Sequence, residues 1–267
     1  MNTILIGERI NSSNKKVRAL FDAEDVDALL DLAVKQIDCG ADYIDINASM
    51  MMAGEKEALF NTAGEVIGRH GINVSIDSAD PDLLLSAAGL FGEKCLLNSF
   101  ACTDEVFKRY LPEASVSGAG IIVMLKNDHG VPSDSETRAA LAEKAIGIMR
   151  ENGMPDEKIF IDPVFSPMAT DISGLMTALA TMDIIVRQYP DCHLTGGLSN
   201  VSYGLPMRRL INRTFLSMAL PHGLNAVICD VTDRDLMETL IASESLSGLD
   251  KGCRNLLRHY RGQGSKR

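Results

Sequence analysis

The sequence predicts an α/β protein built as a single (β/α)8 TIM barrel. Three observations lead there. Short apolar runs alternate with helical patterns eight times, and the composition shows no break along 267 residues. No glycine-rich phosphate fingerprint follows the first run, where the chain reads "IGERIN". An open doubly wound sheet would normally carry that fingerprint, and this length suits one barrel.

The runs are "TILIG" (3–7), "YIDIN" (43–47), "NVSID" (73–77), "KCLLN" (94–98), "GIIVML" (120–125), "KIFID" (158–162), "HLTGG" (193–197) and "NAVICD" (225–230). Most are rich in Ile, Val or Leu, as strands buried on both faces are. Between the first two, Val26, Leu29, Leu30, Ala33 and Ile37 recur at helical spacing, with Gly40 as the stop. Asp80 and Pro81 open a helix that ends at Gly92. Ser133 and Glu136 stand in capping-box spacing before a helix that stops near Gly153. "LPMRRLINRTFLSMALPHG" sets arginines on one face and offers Leu210, Phe215 and Leu216 to the core. One domain spans 1–267, with 250–267 as a C-terminal helix and frayed tail.

A chain that is 46% hydrophobic can bury a large core. Its net charge of −10 argues against nucleic acid or an anionic membrane as partner. No run approaches the ~18 apolar residues of a membrane span. The N-terminus lacks the basic start and apolar stretch of a signal peptide. Cys39, Cys95, Cys102, Cys192, Cys229 and Cys253 form no C-x-x-C pair. They read as reduced thiols of a cytoplasmic protein without structural zinc.

In such a barrel the chemistry sits at the C-terminal ends of the strands. Those ends give Glu8 and Asn11, Asp45 and Asn47, Asp77, Asn98, Asn127, Asp162, the Ser199–Asn200 pair, and Asp230. Taken singly, Asp230 and Asn127 read as loop organisers and Asp77 as a cap. Together they describe a mouth that hydrogen-bonds a polar, planar, mostly neutral ligand. Carboxylates accept from paired N–H donors, and asparagine donates and accepts at once. An amino-pyrimidinone edge matches that set. Phosphate would call for basic groups or a glycine nest, and a metal for clustered His and carboxylates. Only His129, of five histidines, falls at this rim, so no metal site is expected.

In order along the chain come "GERIN" (7–11), "DIN" (45–47), "IDS" (76–78), "LNSF" (97–100), "GVPSDSETR" (130–138), "IDP" (161–163), "GLSNVS" (197–202) and "LINRTFL" (210–216). This set resembles the methyltetrahydrofolate:corrinoid methyltransferases of the pterin-binding barrel group. The resemblance implies a TIM barrel of pterin-binding type with a reduced folate across its mouth. It implies that Asp77, Asn98 and Asp162 hold the pterin edge and that Asn200 reaches N5, the nitrogen that carries the methyl group. Arg208 would line the outer site, with Asn11, Asn47 and Asn127 at the rim. The acceptor or donor of the methyl would be a corrinoid (cobalamin) carried by a partner protein. A homodimer would fit the family.

Methyl transfer from a tertiary amine needs help at the nitrogen as carbon departs, and a neutral amide supplies it mainly in the transition state. Gly196, Gly197 and Ser199 leave room for a bulky cosubstrate. Tyr203 stands where acetogenic members tend to have glutamine, and is expected to stack or hydrogen-bond near the methyl. Both directions of transfer stay open, with methyl-corrinoid to tetrahydrofolate preferred. "DCHLTG" (191–196) matches the D-x-H-x-x-G of corrinoid modules. Its His193 begins the seventh strand, at the end away from "GLSN", so the match reads as chance.

Two rivals remain. A dihydropteroate synthase would use the same pterin edge, but needs a lysine after the seventh strand and Arg-x-His near the eighth. Here those places read "GLSN" and "ICDVTD". The other is a non-catalytic folate-binding protein. The arginines Arg208, Arg209 and Arg213 read most simply as a solvated face, and "MMM" (50–52) as a loop or core filler.

Overall fold

The alternation of the sequence becomes eight parallel strands in a computed structural model that describes residues 3–264. They are β1 (Ile4–Asn11), β2 (Tyr43–Asn47), β3 (Asn73–Asp77), β4 (Cys95–Ala101), β5 (Gly120–Met124), β6 (Ile159–Asp162), β7 (His193–Leu194) and β8 (Ala226–Cys229). The helices are α1 (Lys15–Asp22), α2 (Val26–Asp38), α3 (Glu55–His70), α4 (Pro81–Phe91), α5 (Leu111–Ser115), α6 (Ser135–Glu151), α7 (Ile172–Gln188), α8 (Leu198–Val201), α9 (Arg208–Ala219), α10 (Arg234–Leu246) and α11 (Arg254–Gly264). The strands pair in the order β7-β6-β5-β4-β3-β2-β1-β8. The seam between β7 and β8 is stitched by a Gly197–Ile228 bridge, in which Ile228 N donates to Gly196 O at 3.2 Å. The barrel is therefore nearly closed. α11 supplies the expected C-terminal helix; residues 265–267 of the expected tail lie outside the described residues.

Two apolar layers hold the barrel. Ile6, Leu96, Ile122, Phe160, Ala226 and Ile228 fill its interior. A larger layer lies between strands and helices, where Ile44, Ile76, Leu97, Ile121 and Ile161 meet helix residues such as Leu84 and Met182. Burial on both faces explains why the strands read as continuous apolar runs.

Three local expectations change. The seventh strand stops at Leu194 rather than at Gly197; beyond it the backbone passes the Phe165 ring, where a Cβ on Gly196 would lie 2.5 Å from Phe165 Cε2. The capping box at Ser133 does not form. Asp134 is the cap of α6, its Oδ1 accepting from Thr137 N at 2.7 Å, which sets Glu136 at the second helical position. Leu210 is 42% exposed on the outer face of α9, whereas Phe215 and Leu216 are buried.

Two bulges aim side chains into the mouth. On β1, Gly7 pairs Ile44 and Ile10 pairs Ile46, so Glu8 and Arg9 share the place opposite Asp45. The backbone N–H that this frees on Arg9 donates to the buried Gln36 Oε1 at 3.0 Å. Gly7 is required here, since a Cβ would come 2.5 Å from the same Gln36 oxygen. On β4, Ser99 is the extra residue between Asn98 and Phe100. Bulges of this kind re-aim a strand end.

Candidate active site

At the C-terminal ends of the strands a cleft of about 590 Å3 opens between β1 and β6 and the β7–α8 turn. Asp45, Asp77, Asn98, Asp162, Gly197 and Asn200 line it, with Glu8 and Asn11 on one wall. Asp45 is 2% exposed and lies deepest. Ser75 Oγ donates to its Oδ1 at 2.6 Å and Asn98 Nδ2 donates to the same oxygen at 3.1 Å. Burial, with the Asp77 charge beside it, pushes the Asp45 carboxyl well above the ordinary carboxylate range.

Asp77 ends β3, and Asn47 Nδ2 donates to its Oδ2 at 2.8 Å. Burial raises its pKa to about 6 against that hydrogen bond. Asp162 ends β6, with Val164 N donating to its Oδ1 at 2.8 Å. Burial raises its pKa to about 6 as well, and the Arg138 guanidinium pulls it back only in part. Arg138 is itself 1% exposed, donating to Pro132 O (2.8 Å) and Pro163 O (2.7 Å), and so ties down the loops after β5 and β6.

Asn200 differs from its neighbours. It is exposed, and among the described residues its carboxamide makes no hydrogen bond. A Cβ on Gly197 would lie 3.0 Å from its Nδ2, so the glycine leaves the amide its space. The cleft therefore joins an acid–amide edge to one unengaged amide.

A second cavity of about 600 Å3 shares the Glu8 and Asn11 wall. Ser199, Tyr203 and Arg208 face this one rather than the first. Tyr203 is 69% exposed. Arg208 Nη2 donates to Ser199 O at 2.8 Å and its Nε to Ser202 Oγ at 3.1 Å. Arg209 pairs with Asp233 at 3.5 Å and Arg213 with Asp235 at 2.6 Å. Arg208 and Arg209 are exposed, as the solvated-face reading has it, and Arg213 is half-buried; each also has a partner on the β7–α9 segment or on α10.

The remaining expected residues split. Asn11 lies in the shared wall, its Oδ1 accepting from Ser13 N at 2.9 Å. Asn47 sits behind Asp77, its Oδ1 accepting from Ser49 N and Oγ. Asn127 stays in its loop, where its Oδ1 accepts from His129 N at 2.9 Å, and it does not line the cleft. Asp230 pairs with Arg9 at 2.9 Å beside the second cavity. His193 is buried at the far end, its ring 4.5 Å from that of Phe160. The cleft also holds Lys126, just beyond β5, a cation that reading the strand ends passed over. Glu8 and Asp45 stood among the strand-end carboxylates, but no motif gave them a role. Among the described residues no group of three His, Cys, Asp or Glu is placed to hold a metal ion.

The strand ends of this TIM barrel thus set the buried Asp45 and the half-buried Asp77 and Asp162 beside the Asn98 amide. The chain belongs to the family of pterin binding enzymes, whose model matches residues 7–230. Over 260 residues it is 28% identical to a methylcorrinoid:tetrahydrofolate methyltransferase of Eubacterium limosum, covering 97% of this chain and 96% of that one. It is 25% identical over 241 residues to the methionine synthase of Mycobacterium tuberculosis, of which it spans 20%. Among solved structures it superposes on a dihydropteroate synthase of Yersinia pestis with a TM-score of 0.69 and 17% identity, covering 93% and 94% of the two chains. One from Vibrio fischeri gives 0.70 at 15% identity, covering 94% of each. Those likenesses establish the shared barrel.

Proposed function

We propose that this enzyme moves a methyl group between N5 of tetrahydrofolate and the cobalt of a corrinoid that a partner protein brings as cosubstrate. The observation that carries the reading is the unengaged Asn200 carboxamide in the same cleft as Asp77, Asn98 and Asp162. The carboxylates accept from the donors of the amino-pyrimidinone edge, and Asn98 reads the acceptor beside them. That fixes the ring and brings N5 toward Asn200. The amide donates to N5 as its lone pair is released, or accepts from it once protonated, which favours the transition state over the bound substrate. Asn11 lies in the adjoining wall, and Tyr203 and Arg208 line the outer cavity, where the rest of the folate and the corrinoid would be accommodated.

The name of the Eubacterium relative and the presence of Tyr203 both favour transfer from methyl-corrinoid to tetrahydrofolate. The reading includes a cytoplasmic homodimer and a corrinoid protein as partner. It places no metal in this chain. The dihydropteroate synthase alternative finds little support: the turn after β7 offers Ser199 and Asn200, and β8 ends at Cys229 before Asp230, where pyrophosphate would want cations. The deciding experiment mixes the protein anaerobically with tetrahydrofolate and methylcobalamin, then in reverse with methyltetrahydrofolate and cob(I)alamin, and follows cobalt absorbance. Methyl transfer is expected. Folate binding with no transfer in either direction, including with a cognate corrinoid protein, would favour a binder. Turnover of a pterin pyrophosphate with aminobenzoate would favour the synthase.

A further inference from the structure

Glu8 is the wall between the two cavities and belongs to both. It stands there because the β1 bulge turns it inward, held by the Arg9 N–H on Gln36. Ser199 Oγ donates to Glu8 Oε1 at 2.5 Å, and Arg208 Nη2 holds the Ser199 carbonyl at 2.8 Å. Ser199 is thus fixed at both ends. The next residue is Asn200, which opens into the first cleft. A hydroxyl, a carboxyl and the Asn200 amide therefore follow one another across the wall.

We propose that Glu8, held by Ser199, relays the proton of the folate ring nitrogen, a role that rests on the methyltransferase reading. Tetrahydrofolate carries hydrogen on N5 and the methylated form carries carbon there instead, so each transfer must move one proton. As methyl arrives, the N5 lone pair forms the N–C bond and the carbon–cobalt pair stays on the corrinoid. The N5 proton leaves through cleft solvent to the Glu8 carboxylate, whose charge the Ser199 hydroxyl steadies from the second cavity. In reverse, Glu8 returns the proton, the C–N pair stays on nitrogen, and the cobalt(I) pair forms the new bond. Glu8 acts through cleft solvent as the proton-holding residue, and Ser199 positions it.

The other carboxyls suit the task less. Asp77 and Asp162 must be ionised to accept from the ring edge, and Asp45 is held below by Ser75 and Asn98. Glu8 is raised by burial to about 7, against the Ser199 hydrogen bond. The charges around it are Asp230, which raises it, and Arg208 and Arg9, which lower it. Asp45 and the Cys229 thiol, both pushed up by burial, feel the Glu8 charge in return. A carboxyl that holds its proton near neutrality can take and give one at working pH.

The test compares wild type, Glu8→Gln and Ser199→Ala by anaerobic methyl transfer from methylcobalamin to tetrahydrofolate over pH 5.5–8.5, at tetrahydrofolate concentrations that saturate each protein at each pH, with the dissociation constant measured separately. Wild type is expected to rise through about pH 7 to a plateau from about pH 8. Glu8→Gln should lose about 100-fold in rate and flatten that rise, with binding within about threefold. Ser199→Ala should move the rise to higher pH, since it removes a bond that stabilises the charged carboxylate. A Glu8→Gln enzyme that keeps the wild-type rise, or loses only as much rate as binding, overturns the relay. A wild type that binds tetrahydrofolate but transfers no methyl, with cobalamin or a cognate corrinoid protein, overturns the functional reading itself.

Discussion

Replacing Asp162 with asparagine should weaken tetrahydrofolate binding and remove about half of its pH dependence. Burial sets the Asp162 pKa near about 6 in the free protein. It is then roughly nine-tenths ionised at pH 7 and one-tenth ionised at pH 5. Only the carboxylate accepts from two ring donors, so affinity falls about tenfold across that window. Asp77, also at about 6, adds a similar factor. Wild type should therefore bind about 100-fold more weakly at pH 5 than at pH 7. In Asp162→Asn the charge-assisted bonds are lost, about 1.5–3 kcal/mol, or roughly 10- to 150-fold at pH 7. The remaining pH effect shrinks to about tenfold. Anaerobic calorimetry of tetrahydrofolate at pH 5, 6 and 7 measures both. An affinity flat with pH, or an Asp162→Asn protein that binds as wild type does, would refute the assignment of this carboxylate to the pterin edge.

Three further outcomes are expected. Asn200→Ala should lower methyl-transfer turnover by about 100- to 1000-fold while changing tetrahydrofolate binding by no more than a few fold, as separate rate and binding measurements will show. The raised carboxyls also bear on stability: folded Asp162 holds its proton more tightly than the unfolded chain does, so its contribution is full below about pH 4 and is lost as pH rises through about 6. Urea unfolding of the free protein should accordingly show Asp162→Asn gaining on wild type between pH 4 and pH 7, by up to about 3 kcal/mol; an unchanged gap would contradict the burial effect. His193→Ala should lower the melting temperature, since it removes a ring buried against Phe160, yet leave the binding of tetrahydrofolate and of free cobalamin intact. Loss of cobalamin binding would show that the D-x-H-x-x-G match is more than chance.

Much of this arrangement could be read from the chain, and the failures have identifiable causes. β2 and β3 fall on "YIDIN" and "NVSID" residue for residue, because a strand buried on both faces is apolar until its polar tip. Asp77, Asn98 and Asp162 converge for the same reason: each ends or nearly ends its run. Asn127 obeys that rule too, but its side chain closes a local turn onto His129, a bond that strand position alone does not reveal. The glycine after β7 answers to Phe165, and the β1 bulge is held by Gln36 in α2; both partners are distant in sequence. The division of the mouth into two cavities follows from α8, one turn of helix that sends Ser199 and Asn200 to opposite sides of Glu8. Strand-end reading places both residues at the rim and is silent about which way each turns.

The most direct test is a crystal structure of the protein with tetrahydrofolate. The ring should lie in the first cleft, its amino-pyrimidinone edge on Asp77, Asn98 and Asp162, with N5 within hydrogen-bond reach of the Asn200 amide. A ring lodged instead in the second cavity against Arg208, or turned so that N5 faces away from Asn200, would contradict the account.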